Sequence, residues 1–170
     1  MLLADQESNW REATRMNRHE EWHVTVDGID PITWRLFCLE HNIKPLYIEL
    51  NNFNTQLMCA ANFDAEEMIA SAGINIVRVK HEVSLPVHGE PVVYWECHVK
   101  LDGPFVPEVE MSSRDLYRVD RWYATMRQPK QFDYQAFVDY IVRPSGCKYA
   151  GHEYECAIKD TNPAIDRGWL

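Results

Sequence analysis

Two segments of the chain carry a histidine in nearly the same setting. They are Glu21-Trp-His23-Val-Thr25-Val-Asp27-Gly28 and Glu96-Cys-His98-Val-Lys100-Leu-Asp102-Gly103. Polar and apolar residues alternate in both, which is typical of a strand with one buried face. The glutamate, the histidine and the residue two after it then project from the same face. An imidazole titrates near neutral pH, so two imidazoles on opposite sides of a substrate can act as general acid and general base.

Residues that suit an anionic substrate accompany the histidines. A hydroxyl at Thr25 and an ammonium at Lys100 can stabilise charge that builds on a phosphoryl oxygen. Thr125 and Arg127 lie two apart on a further predicted strand, and a guanidinium group binds phosphate through two hydrogen bonds. The sequence thus predicts His23 and His98 as catalytic residues and Thr25, Lys100, Thr125 and Arg127 as substrate-binding residues.

The first segment resembles a known family. His23-Val-Thr25-Val is similar to the H-x-T/S-hydrophobic motif of the two-histidine phosphoesterase superfamily, which has one such motif in each half of a duplicated α/β fold. His98 follows His23 by 98 − 23 = 75 residues, which fits one motif per half. The resemblance implies hydrolysis of a cyclic or 2′-5′ linked nucleotide phosphate, with both histidines catalytic, Thr25 binding phosphate, and no metal or other cofactor. Lys100 stands where the second motif would have serine or threonine.

The spacing of apolar residues and turn signals predicts an α+β fold. Strands are expected at 21–27, 44–50, 55–61, 74–83, 92–101, 121–127 and 154–159, and helices after Asp30, after Asp64, from Ser112 or Ser113 to Asp120, and near 134–141. Arg114, Arg118 and Arg121 recur at i, i+4 and i+7, a spacing that allows binding of a phosphate but is more commonly that of a solvated helix face. We therefore expect one domain over 1–170, in which an N-terminal helix at 1–20 precedes two ferredoxin-like βαβ halves, 21–84 and 92–160, that form a duplicated, two-lobed sheet-and-helix domain.

Composition narrows the class of protein. The net charge of −9 over 170 residues argues against general binding to a nucleic-acid backbone, while a local basic cluster still allows a small phosphorylated nucleotide as ligand. No apolar run approaches the ~20 residues that cross a bilayer, and the first residues do not read as a signal peptide. Five cysteines without a C-x-x-C pair favour buried, reduced thiols. These features predict a cytoplasmic protein that does not bind membranes, and they leave its oligomeric state open.

Three alternatives stay open at this point. The glutamates and histidines can be solvent-facing residues in cross-strand polar pairs, each contributing ~0.2–1 kcal/mol. The same side chains can ligate Zn²⁺, Fe²⁺ or Mn²⁺, as in metal enzymes built from paired βαβββ modules, although the H-E-x-x-H and H-x-x-E-H motifs are missing. The protein can also be a non-catalytic acidic protein that binds a macromolecular partner, which its charge and its 12% aromatic content would suit.

Overall fold

The computed structural model of the chain describes residues 18–104, 111–118 and 120–166. Within these residues the strands are β1 (Glu20–Asp27), β2 (Lys44–Leu50), β3 (Thr55–Ala61), β4 (Asn75–Val83), β5 (Tyr94–Leu101), β6 (Met111–Asp115), β7 (Trp122–Gln128) and β8 (Tyr149–Asp160). The helices are α1 (Pro31–Glu40), α2 (Glu66–Ser71) and α3 (Tyr134–Phe137), which continues as a π-helix over Val138–Val142 and a 3-10 turn over Arg143–Ser145. A second 3-10 turn, Pro163–Asp166, follows β8. None of the helices in the described ranges is long and apolar enough to cross a membrane.

The strands form one closed antiparallel barrel. Their order around it is β1-β3-β2-β6-β7-β5-β8-β4, and β4 returns to pair with β1. The first four strands are contiguous as β4-β1-β3-β2 and the last four as β8-β5-β7-β6. Along the shorter arc, β4 and β8 separate the two histidine-bearing strands, β1 and β5.

The closed barrel shows that the predicted α+β fold of two ferredoxin-like lobes is wrong. Two seams, β4 with β8 and β2 with β6, join the strands of the first half to those of the second. Separate lobes would leave these strands as edges with unpaired N–H and C=O groups, and closing the sheet pairs them with each other. The chain therefore forms one mostly β sheet closed on itself, not a duplicated sheet-and-helix domain.

Two local predictions also need correction. The predicted helix from Ser112 or Ser113 to Asp120 is wrong, because β6 occupies Met111–Asp115 and pairs with β2 and β7. Pairing with two neighbouring strands outweighs the weak local preference of this segment. Arg114 accordingly forms an ion pair with Glu49 of β2 instead of sharing a helix face with Arg118 and Arg121. The predicted helix at 1–20 lies outside the described residues except at its end, where Glu20 already belongs to β1.

Helix α1 begins where its residues predict. The side chain of Asp30 accepts hydrogen bonds from the backbone N–H groups of Ile32 and Thr33, and Pro31 occupies the first turn. Both features favour the start of a helix. Trp34 of α1 is fully buried, and its indole N–H donates a hydrogen bond to a backbone carbonyl of β3. This contact fixes α1 against the outer surface of the barrel.

The apolar core lies outside the barrel, between the sheet and the helices. One cluster joins residues of α1 and α2 to the outward side chains of β1, β3 and β4, among them Val24, Cys59 and Val79. A second cluster packs α3 and the π-helix against outward side chains of β5 and β7, such as Val99 and Ala124. Because successive side chains of a strand point to opposite faces, the residues between these apolar ones point into the lumen. The lumen therefore receives the polar side chains of the same strands.

We expect Ile69→Ala to lower the free energy of unfolding by about 2–5 kcal/mol, because it opens a void beneath α2 in the outer core. Ile69 is 0% exposed, whereas Ile32 on the outer face of α1 is 74% exposed. Ile32→Ala is the matched control and should change the free energy of unfolding by no more than about 0.5 kcal/mol. Urea denaturation followed by circular dichroism measures both values. Equal effects of the two substitutions would contradict an outer core packed under α2.

Candidate functional site

The lumen of the barrel contains a cavity of about 170 Å³. Engineered cavities of roughly 150 Å³ hold benzene, so this space accommodates a ring-sized group. The wall formed by β2, β3 and β6 is largely apolar and includes Leu46, Ile48, Met58, Ala60 and Met111. The wall formed by β1, β4, β5, β7 and β8 is charged or polar and includes Glu21, His23, Arg78, Lys80, Glu96, His98, Lys100, Tyr123, Thr125, Arg127 and Glu153. The cavity thus has one side for an apolar group and one for a charged group.

His23 points from β1 into this cavity, opposite Lys80 of β4. Its Nε2 atom lies 2.7 Å from Oε1 of Glu21 and 3.1 Å from Oε2 of Glu82. Burial disfavours the protonated imidazole, but the carboxylates of Glu82 and Glu21 outweigh burial and raise the pKa of His23 to about 9. His23 is therefore an imidazolium ion at neutral pH.

His98 occupies the equivalent place on β5. Its Nδ1 atom lies 2.8 Å from the hydroxyl of Thr125, and its Nε2 atom lies 3.1 Å from Oε2 of Glu96 and 3.9 Å from Oε1 of Glu82. Burial again opposes protonation, but Glu96 and Glu82 outweigh it and raise the pKa of His98 to about 10. Thr125 and Glu96 together fix the orientation of the ring, because each engages a different ring nitrogen.

Glu82 links the two imidazoles. This carboxylate is 1% exposed, lies within 4 Å of both Nε2 atoms, and also approaches Nζ of Lys80 at 2.5 Å. Burial raises its pKa, but Lys80 and the histidines outweigh burial and hold the pKa of Glu82 well below its usual range. Beside it, burial and the charge of Glu82 raise the pKa of Glu155 to about 8. One ionised carboxylate thus stands between both imidazolium ions, next to a carboxyl group that is mostly protonated at neutral pH.

The positions of the two histidines do not match the alternative in which they are solvent-facing strand residues. Their side chains are 20% and 25% exposed, and both line the internal cavity. Glu82, which contacts both histidines, and Glu96, which contacts His98, are each 1% exposed. The polar pairs are therefore internal to the barrel.

Three of the predicted substrate-binding residues line the same cavity. Lys100 pairs with Glu153 at 3.1 Å, and because these side chains are 31% and 50% exposed, they mark the open mouth. Thr125 contacts His98, and Arg127 forms ion pairs with Glu96 and Asp166 deeper in the lumen.

Thr25 lies apart from these residues. It is opposite Arg78 on β4 and lines a second cavity, of about 380 Å³, together with Gln56 and Asn162. The pairing of β1 with β4 is irregular between Thr25 and Val26. The structure therefore does not bring Thr25 into the cavity of the two histidines.

Several charged residues of the lumen are not among those that the sequence predicts. Arg78, Lys80 and Glu82 alternate along β4 with residues that face outward, and Glu155 and Asp166 come from the last part of the described chain. A signal was present in β4, because charged residues at every second position of a strand indicate a polar inner face. The strand was predicted from its isoleucines and valines alone.

A metal ion could be held by Glu82, His98 and Glu155. Donor atoms of these three side chains all lie within 4.8 Å of one another. Two carboxylates and one imidazole suit a divalent first-row transition metal such as Zn²⁺, Mn²⁺ or Fe²⁺. The same side chains are therefore compatible with two kinds of chemistry, acid–base catalysis and metal binding.

We expect the free energy of unfolding to fall as pH rises from about 7 to 10. The pKa of each histidine is higher in the folded chain than the ordinary value of about 6.5, so the stabilisation is complete below pH 6.5 and is lost as pH rises through about 9 and 10. The raised pKa of Glu155 acts in the same direction up to about pH 8. Urea denaturation at several pH values measures the slope, which His23→Gln combined with His98→Gln should reduce. A stability that is constant over this range would contradict the imidazolium–carboxylate cluster.

The lumen therefore combines two imidazoles, a shared carboxylate and a basic set of side chains around a cavity of limited size. No protein-family model, curated protein or solved structure matches this chain. A function must consequently rest on the chemistry of these side chains.

Proposed function

We propose that the protein is a phosphoesterase that hydrolyses a small cyclic or 2′-5′ linked nucleotide phosphate within the barrel lumen, with His23 and His98 as general acid and base. The observation that carries the proposal is that the two imidazoles line one cavity and converge on one buried carboxylate, Glu82. The two histidines come from strands far apart in sequence, and the barrel brings them to within reach of the same ligand.

The shape of the cavity supports a nucleotide as substrate. The apolar wall of β2, β3 and β6 suits a base or ribose, and the basic side chain of Lys100 suits the phosphate. The mouth at Lys100 and Glu153 is where a nucleoside larger than the cavity would extend toward solvent. The cavity should therefore enclose a larger fraction of a small member of the substrate class than of a large one.

Each histidine has one role in the reaction. His23, which contacts Glu21 and Glu82, is the general base that takes a proton from the attacking water. His98 keeps its proton and donates it to the ribose oxygen that leaves phosphorus. A P–O bond to water oxygen forms, the P–O bond to the ribose breaks, and one proton is taken up at His23 while one leaves His98. Lys100 stabilises the added charge on the phosphoryl oxygens.

We expect kcat/KM to rise about tenfold per pH unit from pH 7 toward pH 9, reach a maximum between about 9 and 10, and fall above it, because the active form needs neutral His23 and protonated His98. The groups that face these rings and set their titration are Glu21, Lys80, Glu82, Glu96, Thr125 and Glu155. The assay is hydrolysis of 2′,3′-cyclic, 3′,5′-cyclic and 2′-5′ linked nucleotides by the chelator-treated protein.

The histidine variants complete this experiment. His23→Gln and His98→Gln should each lower kcat about 10²–10⁴-fold, the range typical of general acid–base catalysis. His41→Gln, at the exposed end of α1, is the matched control and should leave kcat unchanged. The proposal fails if the parent hydrolyses no member of the panel, or if both lumen variants keep full activity.

A metal-dependent hydrolase is the second candidate. It is favoured by the spacing of Glu82, His98 and Glu155, whose donor atoms all lie within 4.8 Å of one another. In this alternative His98 ligates the ion instead of donating a proton.

Glu155→Gln separates the two candidates. Under acid–base catalysis at pH 7, Glu155 is a mostly neutral acid outside the reaction, so the amide should change kcat/KM at that pH by less than about threefold. Under metal catalysis the variant loses a ligand, and we expect at least about tenfold weaker binding of Zn²⁺ or Mn²⁺ and a parallel loss of activity. Elemental analysis of the purified protein, chelation and re-addition of metal give the independent measurement. Full activity of the chelated parent would eliminate the metal candidate.

A further inference from the structure

The closed end of the lumen is occupied by a carboxylate of the chain itself. The turn Pro163–Asp166 follows β8 and places Asp166, which is 1% exposed, at the wall of the central cavity. Arg78 donates a hydrogen bond to Oδ2 of Asp166 at 2.9 Å, Arg127 donates to the same oxygen at 3.1 Å, and Gln56 donates to Oδ1 at 3.2 Å. Donors from β3, β4 and β7 thus converge on one carboxylate.

These donors are the kind that bind phosphate groups. Two guanidinium groups present planar sets of N–H donors, which match the oxygens of a phosphate as well as those of a carboxylate. The side chains of Arg78 and Arg127 are 5% and 8% exposed, so their charges act in an environment with little water. An anion held there would be bound more strongly than by arginines on a surface.

Both arginines keep a second partner without Asp166. Arg78 also donates to Asp160, at 3.0 Å from Nε and 2.6 Å from Nη2, and Arg127 also pairs with Glu96. Withdrawal of Asp166 would therefore leave each guanidinium charge still paired, with N–H donors free for another anion. Replacing one anion by another avoids the high energy of an unpaired buried charge.

Asp166 lies close to a second cavity. Asp166 lines the central cavity, whereas its neighbours Ile165 and Asn162 line the cavity of about 380 Å³ that contains Thr25. Gln56 lines both. An anion that takes the place of Asp166 would therefore lie beside Gln56, at the border of the second cavity.

We propose that Asp166 occupies an anion-binding subsite formed by Arg78, Arg127 and Gln56, and that a phosphate group of a ligand binds there in its place. The ligand class is a phosphate ester or a pyrophosphate. Arg127 contacts such a ligand after Asp166 has withdrawn, since its donors otherwise engage Glu96 and Asp166. The subsite binds an anion without hydrolysing it, so its existence does not depend on the proposed phosphoesterase activity.

The test is calorimetric titration of the full chain with inorganic pyrophosphate. Asp166→Asn removes the competing charge and keeps the size of the side chain, so the Kd should be at least about tenfold lower than in the parent. Asp139→Asn removes an aspartate that also pairs with an arginine, Arg143, but on the exposed surface, and its Kd should stay within about twofold of the parent value. A Kd for Asp166→Asn that is no lower than that of the control would overturn the proposal.

Two combined variants locate the gain in affinity. Adding Arg78→Gln to Asp166→Asn should abolish the gain in affinity for pyrophosphate. If the gain persists, pyrophosphate binds elsewhere and the proposed subsite is wrong. Adding His23→Gln to Asp166→Asn should leave the gain in affinity unchanged, because this histidine belongs to the hydrolytic proposal and not to the subsite. A gain that disappears with His23→Gln would also contradict the inference.

A shortened chain that ends at Asn162 provides the second variant. It removes Asp166 with its turn but keeps the hydrogen bonds of Thr161 and Asn162 to the backbone of β4. It should bind pyrophosphate at least as tightly as Asp166→Asn does. If circular dichroism shows that neither variant folds, Asp166 is required for the fold, which rules out a displaceable occupant.

Discussion

Every charge that the closed sheet carries into its lumen has to meet an opposite charge there. An unpaired buried charge costs several kcal/mol, and the lumen offers little water to compensate. The pairs cross the barrel: Nζ of Lys80 on β4 lies 2.7 Å from Oε2 of Glu96 on β5, although β8 stands between these strands in the sheet. Arg127 on β7 extends this network, because it forms ion pairs with both Glu96 and Asp166. The closed sheet and the charge network therefore depend on each other.

The placement of the apolar core outside the barrel makes this network feasible. Helices α1, α2 and α3 cover the outward valines, alanines and cysteines, so burial of apolar surface does not need the lumen. The inner faces are consequently free to hold charged and polar groups in fixed positions. The register between β1 and β4 is decisive, since a slip by one residue would turn His23 outward and Val24 inward. The contact of His23 with Glu82 of β4, and with it the raised pKa of His23, thus depends on strand register.

Local patterns were enough to predict most elements but not the way they assemble. The alternation around His23 and His98 predicted two strands with both imidazoles on the polar face, and Asp30 with Pro31 predicted the start of α1. The pairing of Ile48 with Asp115, which closes one seam, leaves no trace in the sequence near either residue. For the same reason the local pattern of the polar segment at β6 predicts a helix, since the strands with which it pairs are distant in sequence. Asp166 becomes recognisable as a lumen partner only after closure of the sheet, whereas the alternating charges of β4 already indicate that Glu82 lies on a polar face.

Charge pairing also constrains how any anion enters the lumen. The surroundings of the cavity contain cations at His23, Lys80 and His98, but each of them already contacts at least one carboxylate. An incoming phosphate therefore does not fill an uncompensated positive site; it has to replace a carboxylate as the partner of a cation. Such an exchange leaves the number of buried pairs unchanged, whereas adding an anion without displacing one would leave a negative charge in excess.

With a net charge of −9, the molecule as a whole repels the ligand on approach, so the lysines near the mouth, Lys44 and Lys100, provide the local attraction. Selectivity for a ligand then follows from how well its oxygens reproduce the hydrogen bonds of the carboxylate that it displaces.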